Sequence, residues 1–272
     1  MKSFRGKVAA ITGAGSGMGQ AIARSLARQG CHIALSDINE ANLQQTADSL
    51  SKYDVKISIH PLDVADRAAV ESFAEDVIAN HGQVHMVFNN AGVSVTDSVE
   101  HMSYDDMEWL MNINFWGVIY GTKSFLPHLQ RVDDAHIINT SSIFGTIAVP
   151  SQSIYNASKF AVKGYTFALR QELADTHINV SCVQPGGVKT GIISSSRYVP
   201  QDNASATKEE FSEQFESMAQ LTSEQAAEQI LRGVLKNKAQ ILVGKDAKLA
   251  ALIERILPTA YQKLIGKVLD NP

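Results

Sequence analysis

The chain has 272 residues, 44% hydrophobic and 19% charged, enough for one large domain with a substantial core. A formal net charge of -4 with no dense run of Lys or Arg argues against a nucleic-acid partner, and no apolar run approaches the roughly 20 residues that span a bilayer. The two cysteines, Cys31 and Cys182, each set at an apolar run that reads as a strand, are expected as buried free thiols rather than a disulfide or a metal pair.

The opening "MKSFRGKVAAITGAG" puts basic residues before a short apolar run, but Gly13 and Gly15 break it before it can form a signal h-region, so a soluble cytoplasmic protein is expected. A first strand is predicted over 7–12 and a helix near 17–29, joined by "TGAGSGMG". This glycine cluster departs from G-x-G-x-x-G and reads instead as G-x-x-x-G-x-G through Gly13, Gly17 and Gly19. The physical demand is the same: small residues let backbone N–H groups approach a pyrophosphate and let the helix close on the strand, its N-terminus facing the anion. The second strand, 32–37, ends on Asp37, at roughly the ~20-residue distance where a carboxylate accepts from an adenosine ribose. The alternative is that Asp37 caps the next helix, near 39–51, a role that Asn39 also fits. An anion at 37 repels a 2′-phosphate and Ser16 offers no cation to attract one, so NAD is expected over NADP.

Further strands are predicted over 56–60, 84–89, 135–141, 179–184 and 239–244, with helices near 66–80, 103–130, 152–175 and 222–237. Strict alternation predicts an α/β doubly wound parallel sheet of about seven strands, a Rossmann fold with helices on both faces and the ligand beyond the carboxyl ends of the strands. No linker divides 1–272. The polar stretch 194–208 marks 190–220 as a substrate loop or lid, and 245–269 reads as an amphipathic helical extension kinked at Pro258. In it Leu249, Leu252, Ile253, Ile256 and Leu257, then Tyr261, Leu264, Ile265 and Val268, form an apolar stripe, with Lys248, Arg255, Lys263 and Lys267 mainly elsewhere. Packing on its own domain or on another subunit is expected for this helix, with peripheral membrane contact as the alternative.

Within "SIYNASKFAVKG", Tyr155 and Lys159 stand i and i+4 and so project from one helix face. A free phenol titrates near ~10, and a neighbouring ammonium favours the phenolate, which would make Tyr155 an acid/base at neutral pH.

The ordered set "TGAGSGMG", Asp63-Val64, "NNAG" at 89–92, Asn114 in "NINFWGV", "NTSS" ending at Ser142, "YNASK" and "PGGVKT" from Pro185 to Thr190 resembles the short-chain dehydrogenase/reductase family, in its compact single-domain form, over about 6–192. The resemblance implies an oxidoreductase that interconverts a secondary alcohol and a ketone with NAD. It implies a catalytic set of Asn114, Ser142, Tyr155 and Lys159, in which Ser142 orients the substrate oxygen, Lys159 also binds the nicotinamide ribose and Asn114 holds a water of a proton relay. Ser141 is adjacent to Ser142, and a one-residue slip would exchange them. Cofactor contacts are expected from Gly13, Ser16, Gly17, Met18, Gly19, Asp37, Asp63, Val64, Asn90, Ala91, Gly92, Tyr155, Lys159, Pro185, Gly186, Val188 and Thr190. Substrate contacts are expected from Ser142, Phe144, Tyr155 and Ile192, with Ile143, Val149 and Tyr198 nearby, which favours a moderately apolar small molecule. The family also implies a homo-oligomer, dimer or tetramer, built on the 103–130 and "YNASK" helices. Alternatives are a lyase or epimerase that turns NAD over internally, and a dinucleotide-sensing regulator.

No metal is expected. His81 and His85 are i and i+4 but straddle Gly82 and read as surface residues. Trp109 and Trp116 read as helix-face burial or a subunit contact. Lys189 and Arg197 read as solvated charges, with an anionic substrate group as the alternative.

Overall fold

A computed structural model of the chain describes residues 1–192, 196–198, 219 and 221–262. Most of the expected substrate loop, the side chain of Tyr198, and Lys263, Leu264, Ile265, Lys267 and Val268 lie outside the described residues.

The order is β1 (Val8–Thr12), α1 (Gly17–Arg28), β2 (His32–Asp37), α2 (Glu40–Leu50), β3 (Ile57–Pro61), α3 (Arg67–His81), β4 (Met86–Asn89), β5 (Val95–Thr96), α4 (Tyr104–Met111), a π turn (Asn112–Trp116), α5 (Gly117–Leu129), β6 (Ala135–Thr140), a 3-10 turn (Ile143–Gly145), α6 (Ser153–Glu172), β7 (Ile178–Pro185), β8 (Val188–Lys189), β9 (Arg197–Tyr198), β10 (Leu221–Thr222), α7 (Ser223–Leu235), β11 (Gln240–Val243) and α8 (Lys245–Ile256). Seven strands form one parallel sheet in the order β11-β7-β6-β4-β1-β2-β3, the Rossmann fold that the alternating pattern predicts. All of β1 is buried because helices cover both faces: α1, α2 and α7 pack over one core, α3, α5 and α6 over the other. The chain reverses direction across the sheet between β1 and β4, where a doubly wound fold opens its crevice.

Local chemistry sets the ends of the helices. Asn39 caps α2 and Asp66 caps α3, each accepting first-turn amides, and Gly82 ends α3 in the left-handed conformation. The single helix expected over 103–130 is interrupted by the π turn, which carries Asn114.

Three expectations are corrected. His85 is a core residue: it is buried, its Nδ1 accepts the Val8 N–H at 3.1 Å, and burial pushes its pKa down to about 4. His81 is half-buried and hydrogen-bonded to Ser58 at 2.8 Å. The apolar stripe of the C-terminal helix points outward. Leu249, Leu252, Ile256 and Leu257 are exposed, while Ala247, Ala250, Ala251 and Ile253 form the face packed over Ile143 and Ile147. The helix stops two residues short of Pro258, which disfavours helical backbone in the residue before it. Cys31 and Cys182 are buried free thiols, and among the described residues no group of side chains could hold a metal and no helix could cross a membrane.

Candidate active site

The carboxyl ends of β1, β4, β6 and β7 bring the expected residues together. After β1, Gly13 and Gly17 adopt φ of +66° and +51°, which glycine alone takes at little cost. A Cβ on Gly19 would collide with the Gly13 carbonyl and lie 2.7 Å from Asn90 Nδ2, so α1 can approach β1 only through a bare backbone. Ser16 is the N-cap of α1 but makes no side-chain capping bond, leaving the first-turn amides of Gly17, Met18 and Gly19 free of a cap at the positive end of the helix. Thr190 stands beside this turn, 3.3 Å from where a Gly17 Cβ would be, and a cavity of about 400 Å³ opens between Gly17, Gln20, Thr190 and the start of α7.

Asp37 does not cap α2. Its Oδ2 accepts the Gly15 N–H and its Oδ1 the Asn39 N–H, both at 2.9 Å, so the carboxylate pins the glycine loop and points beyond β2. Asn90 Nδ2 donates to the Thr12 carbonyl at 3.1 Å, while Asn90 Oδ1 is buried without a partner among the described residues. Thr12 Oγ1 accepts from the amides of Asn90 and Ala91, each at 3.0 Å, and thereby fastens β1 to the segment after β4. Bare first-turn amides, an outward carboxylate and an orphaned acceptor fit a dinucleotide. Val64 lies against Gly117, and Asp63 Oδ1 accepts the Ala65 N–H at 2.9 Å, so this pair forms the turn after β3.

On the other side, Tyr155, Lys159, Ser142 and Asn114 are all buried. Lys159 Nζ donates to the Thr140 carbonyl at 3.2 Å and lies beside Gly92, where a Cβ would sit 3.3 Å from it and 3.2 Å from Asn114 Oδ1. An ammonium has three donors, so Lys159 keeps capacity for a ligand. Asn114 grips Val93 at both ends: Oδ1 accepts its N–H at 2.8 Å and Nδ2 donates to its carbonyl at 2.9 Å. Ser142 Oγ accepts the Phe144 N–H at 3.1 Å and lowers the proton affinity of the neighbouring Tyr155 phenol. Ser141 turns the other way and donates to the Lys159 carbonyl at 2.7 Å.

The electrostatics differ from expectation. Burial pushes the Tyr155 phenol up to about 12, against the opposing pull of Ser142, and brings Lys159 down to about 8. Lys159 Nζ lies over the Tyr155 ring, 5.6 Å from its centroid, and desolvation outweighs any drop from the ammonium in the chain by itself. Phe144 meets Tyr155 edge-on at 6.3 Å and, with Ile192, Val93, Met107 and Trp109, surrounds it with apolar groups. Ile143 turns away to α8 instead. Arg197 is a solvated charge that also pairs with Asp106 at 2.7 Å and lies 3.9 Å over the Trp109 ring.

Two contacts that the sequence reading did not anticipate reach this region from the C-terminal segment. Asp246 Oδ2 accepts the Gly187 N–H at 2.6 Å, and the buried Tyr261 hydroxyl accepts the Ala148 N–H at 3.0 Å. The double glycine at 186–187 was the available signal for the first; the second had none.

Residues 7–199 match the family model described as short chain dehydrogenase. An oxidoreductase of Mycobacterium tuberculosis, SadH, is 43% identical over 98% of this chain and 96% of its own length. Among solved structures, a short chain dehydrogenase/reductase from Burkholderia phymatum in complex with NAD is 31% identical with a TM-score of 0.84, covering 94% of this chain and 95% of that one. An alcohol dehydrogenase from the archaeon Thermococcus sibiricus, complexed with 5-hydroxy-NADP, is 28% identical with a TM-score of 0.74, covering 87% and 95%.

Proposed function

The chain belongs to the short-chain dehydrogenase/reductase family of oxidoreductases, and from that premise we propose that it interconverts a moderately apolar secondary alcohol and its ketone with NAD. The observation that carries this reading is the buried convergence of Tyr155, Ser142 and Lys159, a phenol whose proton affinity the neighbouring hydroxyl lowers, beside an ammonium with donors to spare. A buried polar cluster of this kind is costly unless a ligand uses it.

Bound NAD supplies the hydride acceptor and a positively charged ring. Ser142 Oγ and the Tyr155 hydroxyl hold the substrate oxygen, which fixes the carbinol carbon in one orientation. Tyr155 takes the hydroxyl proton during oxidation and returns it during reduction. Lys159, next to Gly92, holds the nicotinamide ribose and stabilises the phenolate, countering the desolvation that keeps the phenol protonated in the chain alone. Asn114, fixed to Val93, contributes to a proton path through its remaining Oδ1 lone pair or the carbonyls displaced by the π turn. Phe144, Ile192 and Trp109 make the substrate side apolar.

Asp37 supports NAD over NADP, since a carboxylate at the end of β2 meets a 2′-phosphate with like charge. The NAD complex of the Burkholderia relative agrees, and the NADP-type ligand of the Thermococcus enzyme shows that the fold accepts both. Trp116 and Phe160 remain 44% and 41% exposed on the π turn and α6, which supports a homo-oligomer that covers them.

The test is NADH formation by absorbance across secondary alcohols, hydroxysteroids, acetoin and hydroxyacyl thioesters, at about pH 7 and pH 9, with NADP alongside. Turnover with NAD, faster at the higher pH, is expected. NADH binding with silence across the panel would move the reading to internal redox chemistry or a sensor.

A further inference from the structure

We infer that Asp246 is a positioning residue for the nicotinamide half of the cofactor site, acting through the backbone of the 186–190 turn. The inference rests on the cofactor reading above. Asp246 occupies the first turn of α8, where a carboxylate ordinarily faces solvent and complements the helix dipole. Here it turns inward. Oδ2 accepts the Gly187 N–H at 2.6 Å, and Oδ1 is buried with no partner among the described residues.

The surrounding backbone is shaped to this carboxylate. A Cβ on Gly186 would collide with Oδ2, and a Cβ on Gly244 would collide with Oδ1. Gly244 also has φ of +104°, which glycine alone tolerates well. Two glycines, Gly186 from the β7–β8 turn and Gly244 from the end of β11, therefore make room for one side chain. The Gly186 N–H is held in turn by the Val243 carbonyl at 2.9 Å, so the turn is tied to the β11–α8 junction at two successive amides.

The tie has consequences further along the chain. From Gly187 it continues directly into β8, where Val188 is buried and pairs with Leu221, and then to Thr190 beside Gly17. Val188 and Thr190 are among the cofactor contacts that the family resemblance implies, on the nicotinamide carboxamide side. Asp246 reaches them without touching a ligand, by fixing where the turn begins. Ordering the turn beforehand spares that cost on binding, so losing the tie weakens ligands that use the turn and spares those that do not.

NADH and ADP-ribose separate these cases, because ADP-ribose lacks the nicotinamide. Calorimetric titration of the full chain with each ligand is expected to show Asp246→Ala weakening NADH by about tenfold and leaving ADP-ribose unchanged. Asp246→Asn, which keeps an acceptor oxygen for Gly187, is expected to restore most of the loss. Equal weakening of both ligands would reveal a merely structural carboxylate and overturn the inference, as would unchanged NADH affinity in Asp246→Ala. If that variant fails to fold, amide hydrogen exchange over 186–190 in the wild-type chain decides: slowing by NADH but not by ADP-ribose supports the inference, and equal slowing by both overturns it. Failure of the wild-type chain to bind either ligand would instead overturn the cofactor reading beneath it.

Discussion

The glycine loop after β1 and the tyrosine side of the cleft meet at residues 90–92, where Gly13 packs against Ala91 and Gly92 lies beside Lys159. The first is built from backbone: positive-φ glycines, uncapped amides and a carboxylate that holds the loop by its N–H groups. The second is built from buried side chains whose desolvation shifts proton affinities in opposite directions. A wall of amides binds charge without changing its own protonation, whereas buried phenol and ammonium are poised to exchange protons. Binding and chemistry are thus separable, and substitutions should divide along that line.

The largest loss of cofactor binding should come from adding one methyl group to the backbone wall. Gly19→Ala puts a Cβ into the Gly13 carbonyl and forces α1 away from β1. NADH affinity should fall by at least about tenfold and thermal stability by several degrees, at a cost of order 2 kcal/mol or more, read by calorimetric titration and thermal unfolding. An intact NADH affinity would mean that this wall is not the cofactor's.

On the opposite wall the two adjacent serines should part. Ser142→Ala removes the hydroxyl that lowers the proton affinity of Tyr155 and should lower kcat/KM by about a hundredfold with little change in NADH affinity. Ser141→Ala removes the side-chain donor that the Lys159 carbonyl has besides its helix amide, and should cost about 1 kcal/mol of stability with a smaller loss of turnover. Steady-state kinetics beside thermal unfolding separates the two, and a reversed pattern would exchange their roles.

The smallest change in stability is expected at Lys159. Lys159 is lowered to about 8 on folding from an ordinary 10.5, so at pH 7 the fold carries a buried ammonium that the unfolded chain solvates freely. Lys159→Met should therefore raise the melting temperature of the ligand-free protein at pH 7 by a few degrees while abolishing turnover. From about pH 8 upward the unfolded chain holds the proton that the folded lysine releases, so wild-type stability gains on the variant and the difference narrows up to the ordinary lysine value of 10.5. A difference that is flat with pH would show that Lys159 is not desolvated as described.

The sequence made the cofactor side legible because its signal is local. Glycine spacing, the strand ending at Asp37 and the i, i+4 pair in α6 all lie within one turn or one βαβ unit. What stayed hidden depends on chain segments far apart: Asp246 meets Gly187 across 59 residues and Tyr261 meets Ala148 across 113. The outward stripe of α8 misled for a related reason. Apolar periodicity weights large side chains, yet the face packed over Ile143 and Ile147 consists of Ala247, Ala250, Ala251 and Ile253. His85 was misread because its partner, the Val8 amide, lies on another strand. The raised proton affinity of Tyr155 was equally out of reach, since helical spacing shows that Lys159 is near but not that burial outweighs it.

The central claim is that Tyr155 performs the proton transfer while the glycine wall binds the cofactor. Tyr155→Phe keeps the ring, its edge contact with Phe144 and its place under Lys159, and deletes only the hydroxyl. Measured on one preparation, NADH affinity should stay within about twofold of wild type while kcat falls by about a thousandfold or more. A variant that binds NADH and retains substantial turnover would contradict the account.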